Sequence, residues 1–294
     1  MITDFRLKVF KTAADKLSFT KAATELFISQ PAVTKNINEL EKQLGTPLFL
    51  RHGNNISLTA GGTLLLKYAN RILSLYSNLN SEFSTEGNIQ EGNIAIGAST
   101  TLSQYVLPGI LAKFKRHYRN IQVTLVNGNS EQIEKMVSGM QLDIGMVEGN
   151  ASDHTLHYEP FINDELILVT ASANPFNKDE ITPEELKELP LVIREWGSGT
   201  LDIIEHTLIK HNISLKDLSI EMQLGSTESI KHYLFNSDAF AFLSIRSILE
   251  ELSCNKLKVI EINNMVINRN FNFVTLHGQN NRLTNIFKQF CTEY

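Results

Sequence analysis

Residues 18–44 read S-F-T-K-A-A-T-E-L-F-I-S-Q-P-A-V-T-K-N-I-N-E-L-E-K-Q-L and resolve into two short helical patterns separated by Phe27 and Ile28. Each pattern opens on a serine, Ser18 or Ser29, whose hydroxyl accepts the orphan amide protons of a first helical turn. The order is helix, tight turn, helix. In the second helix Val33, Ile37, Leu40 and Leu44 fall on one apolar stripe. The opposite face presents Pro31, Thr34, Lys35, Asn38 and Lys42, side chains suited to base edges and phosphates in a major groove. Pro31 stands in the first turn, where its missing amide proton removes no helical hydrogen bond. A plain solvated face carries the same pattern, so this helix alone leaves both readings open.

The flanks decide between them. Upstream, Phe5, Val9, Phe10 and Ala13 have the period of a supporting helix, and downstream Leu48 to Leu58 reads as two short strands around Gly53-Asn54. Together these spell a winged helix-turn-helix, with Arg51 and His52 on or near the wing. The run from Phe19 to Arg51, followed by L-T-A-G-G at Leu58–Gly62, resembles the DNA-binding domain of LysR-type transcriptional regulators over residues 1 to 85 without a gap. Thr34-Lys35 stands where many members carry Ser-Arg. A lysine is a point charge rather than a rigid fork, which favours phosphate contact over guanine readout at Lys35. The resemblance implies DNA contacts from Thr20, Ser29, Gln30, Pro31, Thr34, Lys35, Asn38 and Arg51.

Beyond the wing, Thr59 has the place of a helix cap, and Leu65, Tyr68, Ile72, Leu75 and Leu79 recur as a heptad seam. Packing on the chain's own effector domain is one partner for such a seam; the same helix of a second chain is the other. In the family this helix is the dimerisation element, so a homodimer or homotetramer reading an inverted repeat is expected. Ser84 to Asn93, with Gly87 and Gly92, reads as the hinge that ends the helix.

From Ile94 strands alternate with helices. The expected elements are strands 94–97, 121–126, 143–147, 166–170, 191–194, 220–224, 239–243 and 271–276, and helices 102–117, 131–137, 201–210, 229–235 and 285–290. Such alternation argues for an α/β body of parallel sheets covered on both faces. The resemblance adds a two-lobed arrangement similar to periplasmic binding proteins. The expected division is a winged helix-turn-helix at 1–58, a linker helix and hinge at 59–91, and an effector-binding domain at 92–294. Its lobe I spans about 92–161 and 267–294, and its lobe II about 162–266.

Ligands of open parallel sheets gather past the carboxyl ends of strands, at helix amino termini. Four turns there are rich in hydroxyls: Ala98 to Thr101, Asn127 to Ser130, Arg194 to Thr200 and Gly225 to Glu228. Each alone reads more readily as a helix cap. Their concurrence, with Arg194 close by, suits a small anionic metabolite. The candidate effector residues are Ser99, Thr100, Thr101, Asn129, Glu148, Arg194, Ser198, Thr200 and Thr227, of which Ser99 to Thr101, Thr200 and Thr227 occupy effector-lining positions in the family. Glu148 either selects against some anions or is a solvated strand end. R-E-W-G-S-G-T at 194–200 also resembles the R-E-x-G-S-G-T of a branch concerned with sulfur and carbon metabolism. Trp196 reads as a packing residue or a lid.

The chain of 294 residues carries a net charge of −5, split unevenly. Residues 1–90 hold 10 basic against 7 acidic side chains, and the remainder holds 17 against 25. A mildly basic reader on an acidic body fits that split. Cys254 and Cys291 have no metal spacing and read as idle thiols of a reduced, cytoplasmic protein. The amino terminus lacks the apolar core of a signal peptide, and no stretch approaches the roughly 20 apolar residues that span a bilayer. No metal, cofactor, P-loop, dinucleotide fingerprint or nucleophile elbow is expected from the motifs present. The competing reading is a solute-binding protein or enzyme that uses its first helices for assembly. Double-stranded promoter DNA, the metabolite, further copies of the chain and RNA polymerase are the candidate partners.

Overall fold

The computed structural model describes residues 3–52, 55–83, 92–149, 153–278 and 281–293. Two compact units emerge, one centred on Met1–Asn88 and the other on Ile89–Ser138 and Leu142–Tyr294.

In the first unit α1 (Phe5–Lys16), α2 (Phe19–Glu25) and α3 (Gln30–Leu44) are followed by β1 (Phe49–His52), β2 (Asn55–Leu58) and α4 (Ala60–Phe83). Ser18 and Ser29 cap α2 and α3 through bonds from Lys21 N and Ala32 N, both at 3.3 Å. Val33, Ile37 and Leu40 are buried against Phe10, Ala13, Ala22 and Leu48, whereas Leu44, at the helix end, is half exposed. The stripe therefore stops one turn earlier than its period suggests. Truncating Ile37 to alanine would cost about 2–5 kcal/mol. Glu41 ties the wing to α3, its Oε1 accepting from Leu48 N at 2.7 Å and Phe49 N at 3.3 Å. At the start of α4, Thr59 Oγ1 accepts from Gly62 N at 2.9 Å. A Cβ on Gly62 would stand 2.1 Å from the Leu48 carbonyl oxygen, so only glycine lets α4 begin this close to the strand.

The seam expected along α4 divides. Leu65 and Ile72 pack on the unit's own core together with Leu66 and Leu73, while Leu64, Tyr68 and Leu75 are exposed. Leu79 is half-buried. The helical period is as expected, but part of the stripe is consumed by α1 and its neighbours. The hinge expected at Ser84–Asn93 falls outside the described residues up to Glu91, and Gly92 and Asn93 already belong to a strand.

The second unit runs β3 (Gly92–Ser99), a π-helical turn (Leu102–Val106), α5 (Leu107–His117), β4 (Ile121–Gly128), α6 (Ser130–Ser138), β5 (Ile144–Glu148), β6 (Leu156–Ala171) and β7 (Glu180–Ile181). It continues with β8 (Leu191–Arg194), α7 (Gly199–Lys210), β9 (Ile220–Leu224), α8 (Thr227–Leu234), β10 (Phe240–Ser244), α9 (Leu249–Ser253), β11 (Leu257–Ile262), β12 (Ile267–Leu276) and α10 (Arg282–Thr292). The main path of the sheet is β4-β3-β5-β12-β6-β10-β8-β9. Strands β3, β4 and β5 are mutually parallel, as are β8, β9 and β10. The long strands β6 and β12 pair antiparallel between the two groups. The sheet is thus mixed rather than wholly parallel, because two strands cross from one lobe to the other.

Strand β6 begins ten residues before the apolar segment that marks it in the sequence; its first ten residues, L-H-Y-E-P-F-I-N-D-E, mix polar and apolar side chains without a clean alternation and hold Pro160 opposite a register shift in β12. The helix expected over 102–117 is likewise broken, its first turn π-helical and Pro108 standing in the first turn of α5. Strand β11 was not legible as a separate element. Separate apolar clusters fill the lobes: Ile96, Phe114, Phe273 and Phe287 in one, Leu168, Leu191, Leu208 and Phe242 in the other.

Candidate functional site

On α3 the row opposite the core is open to water. Gln30, Pro31, Lys35, Asn38 and Lys42 are exposed, Thr34 is half exposed, and Gln30 Nε2 donates to Thr34 Oγ1 at 3.2 Å, one turn on. Ser29 is exposed at the cap, and Thr20 is exposed in the first turn of α2. Arg51 pairs with Ile56 through its backbone in the wing; its side chain lies outside the described residues. Phe27, in the turn before α3, is 95% exposed.

The second constellation is buried. Ser99, Thr100 and Thr101 close β3, Glu148 closes β5, and Arg194 closes β8, so three strand ends converge with the amino terminus of α7. Ser99 Oγ donates to Glu148 Oε2, and Thr200 Oγ1 donates to Glu148 Oε1 at 2.9 Å. A Cβ on Gly199 would meet the Glu148 carbonyl oxygen at 2.1 Å, so this glycine lets α7 seat Thr200 against β5. Glu148 is therefore neither a solvated strand end nor an idle carboxylate; it engages two of the hydroxyls assigned to a ligand.

Its cationic partner is Arg269 of β12, which the sequence reading missed. The Arg269 side chain has no exposed surface. Nη1 donates to Thr200 Oγ1 at 2.8 Å and lies 3.4 Å from Glu148 Oε1, Nε donates to Asp164 Oδ2 at 2.7 Å, and Nη2 reaches Thr101 Oγ1 at 3.5 Å. Ser244 Oγ also donates to Asp164, at 2.8 Å. Arg269 and Asp164 sit on the two crossing strands and bind both lobes.

Arg194, 3% exposed, donates from Nη2 to Thr100 Oγ1 at 3.4 Å across the lobes. Glu195 holds the same guanidinium, at 2.8 Å from Nε and 3.0 Å from Nη2. Ser198 begins α7 without capping it, and its buried Oγ has no hydrogen-bond partner. Thr227 is buried at the start of α8. Asn129 is occupied otherwise: it exchanges bonds with Gln132 at the head of α6, and its Nδ2 reaches the Trp196 carbonyl at 3.4 Å. Trp196 itself is 66% exposed and is not a packing residue.

A further tie spans the lobes at the π-helical turn. Tyr105 donates to Glu228 Oε1, which Lys231 also pairs with at 2.7 Å, and Lys231 reaches Glu251 at 2.6 Å. Burial, and then the Glu228 carboxylate, push the Tyr105 hydroxyl above its ordinary value. Burial alone would raise Glu228, but bonds from Lys231 and Tyr105 outweigh it and hold the carboxyl below the usual range. Cys291 is buried, which pushes its thiol up to about 12, and Cys254 is exposed. Among the described residues no group of His, Cys, Asp and Glu is placed to hold a metal, and no helix is long and apolar enough to cross a membrane.

Residues 5–63 match the family described as bacterial regulatory helix-turn-helix protein, lysR family, and residues 88–294 match the LysR substrate binding domain. A protein of Thalassiosira pseudonana described as "Probable RuBisCO transcriptional regulator" is 34% identical over 276 residues, 92% of this chain and 90% of that protein. Full-length CbnR, solved in complex with target DNA, superposes with a TM-score of 0.68 at 18% identity over 99% of each chain. The regulatory domain of Synechocystis PCC6803 CcmR, solved with 2-PG, gives 0.63 at 24% identity over 69% of this chain and 97% of that one. The two family matches and the relative point to regulators rather than enzymes or solute carriers, and the chain belongs to the LysR family of transcriptional regulators.

Proposed function

We propose that this chain binds pseudo-palindromic promoter DNA as a dimer or tetramer and that a small anionic metabolite, held between the lobes, shifts how its two heads are presented. The row Gln30, Pro31, Thr34, Lys35 and Asn38, with Ser29 and Thr20 beside it and Arg51 on the wing, reads the duplex: lysine and arginine contact phosphates, and Gln30, Pro31 and Thr34 meet base edges. CbnR, of like fold, was solved on its target DNA, which supports this use of the first unit. Leu64, Tyr68 and Leu75, left exposed along α4, supply an apolar stripe for the same helix of a second copy, joined by Leu79. Residues 1–58, 59–91 and 92–294 then act as reader, linker and sensor. Reading promoter DNA places the protein in the cytoplasm, with RNA polymerase as a further partner.

The observation that carries the sensor is the buried Arg194 beside Thr100, with an unmatched hydroxyl on Ser198 in the turn that follows, whose amide donates to the Glu195 carbonyl at 3.2 Å. An oxyanion supplies the acceptor that the Ser198 hydroxyl lacks and a further charge for Arg194. CcmR, whose regulatory domain was solved in complex with 2-PG, sets a precedent for a small ligand on this fold. A ligand acts only through its different affinity for the two lobe arrangements.

A thermal-shift panel of small anions tests this reading. At a hundredfold excess over its dissociation constant, a bound anion adds about 2.7 kcal/mol, enough to raise Tm by several degrees, and Thr100→Ala lowers that gain. No stabilisation of the wild type by any anion, or full stabilisation of a Thr100→Ala/Thr200→Ala/Thr227→Ala variant, would overturn the proposed cleft.

A further inference from the structure

Two guanidiniums stand at the junction of the lobes, and the chain supplies each with carboxylates of its own. Arg269 is fully enclosed, and so are its partners, with side chains 2% exposed at Glu148 and 0% at Asp164. Arg194 is enclosed as well, but the carboxylate on it is Glu195, which is 27% exposed. That difference decides which pair an incoming anion can open. Pulling a carboxylate off Arg269 strands a buried charge. Turning Glu195 outward returns it to water, and the ligand takes its place.

The surroundings of Arg194 are arranged for such an exchange. Glu195 fills the guanidinium fork with both oxygens, at 2.8 and 3.0 Å. Thr100 Oγ1 accepts from the same guanidinium and keeps its own proton to donate. Ser198 Oγ is buried without a partner and does not cap α7. A carboxylate tethered at the next residue has two oxygens, both of them spent on the fork.

We infer that Glu195 is a resident carboxylate occupying the oxyanion seat on Arg194, and that the effector displaces it with a dianionic tetrahedral group, a phosphate or sulfate. This rests on the cleft reading above. A ligand with a lone carboxylate only reproduces what Glu195 already supplies, and it competes with a group whose effective concentration at the seat is high. A tetrahedral dianion brings a second charge for the fork and a third oxygen for the hydroxyls of Thr100 and Ser198.

Titration calorimetry on the full chain, with acetate, sulfate, inorganic phosphate and methyl phosphate as probes, tests the exchange. In the wild type the dianions bind and acetate does not measurably bind; methyl phosphate against sulfate and inorganic phosphate separates a phosphate ester from a free ion. Glu195→Gln removes the competitor's charge and tightens sulfate about five- to tenfold. Glu195→Ala does the same, and melting by circular dichroism checks that both variants fold. Arg194→Met abolishes anion binding to the cleft and serves as the blank for anions held on the DNA-reading face. Unchanged or weakened sulfate binding in both Glu195 variants overturns the resident carboxylate, as does an Arg194→Met isotherm equal to that of the wild type. If the wild type binds an anion that Thr100→Ala loses and Glu195→Gln leaves untouched, the cleft reading stands and this inference alone falls. If no variant binds any of the probes, both fall.

Discussion

The outer row of α3 and the junction around Arg269 are made of the same materials, hydroxyls, amides and cations, and the chain treats them in opposite ways. On α3 Lys35, Asn38 and Lys42 stay in water, and the fold asks little of them. At the junction Ser99, Thr101, Glu148, Thr200 and Arg269 are buried, and each is bonded to another member of the set. Burial obliges polar groups to satisfy one another, so recognition there is coupled to stability. Exposure leaves recognition free of it. A substitution on the first surface should change binding without changing the fold, and one on the second should change both.

The largest expected effect is at the junction. Arg269→Met strands Glu148 and Asp164, and urea unfolding should show a loss of about 3–5 kcal/mol. A loss under about 1 kcal/mol would mean that the network is not what holds the crossing strands. On the exposed row, Gln30→Ala should stay within about 0.5 kcal/mol of wild-type stability while weakening operator binding by about 1–3 kcal/mol. Comparable losses in both assays would erase the contrast. Between these extremes, the half-exposed Tyr105 ties the lobes through Glu228. Tyr105→Phe should cost about 1 kcal/mol of stability and leave operator affinity without ligand unchanged, as measured by melting and gel shift.

The same contrast explains what was legible in the sequence. The caps Ser18, Ser29 and Thr59 and the stripe Val33, Ile37 and Leu40 are local, and local period is what a sequence displays. The strand-end hydroxyls at Ser99–Thr101 and Thr200 were found for the same reason, since they sit where strand gives way to helix. Arg269 was missed because its partner Asp164 lies 105 residues away. A signal existed in its phase: Ile267, Arg269 and Phe271 alternate on one buried face of β12, as Asp164, Leu166 and Leu168 do on β6. A charge on the buried phase of a strand announces a partner without naming it. Along α4 the helix was legible, but which side meets the core depends on α1, so of the expected seam Leu65 and Ile72 turned inward while Tyr68 and Leu75 stayed out.

The claim on which the account turns is that the outer row of α3 enters a groove of DNA. Gel shifts of the wild type and Lys35→Ala on fragments flanking its own gene, repeated across a salt series, address it most directly. The account predicts that log affinity falls linearly with log salt and that Lys35→Ala binds more weakly, with a slope shallower by about one phosphate contact. An unchanged slope in the variant, or no binding of the wild type to any flanking fragment, would contradict it.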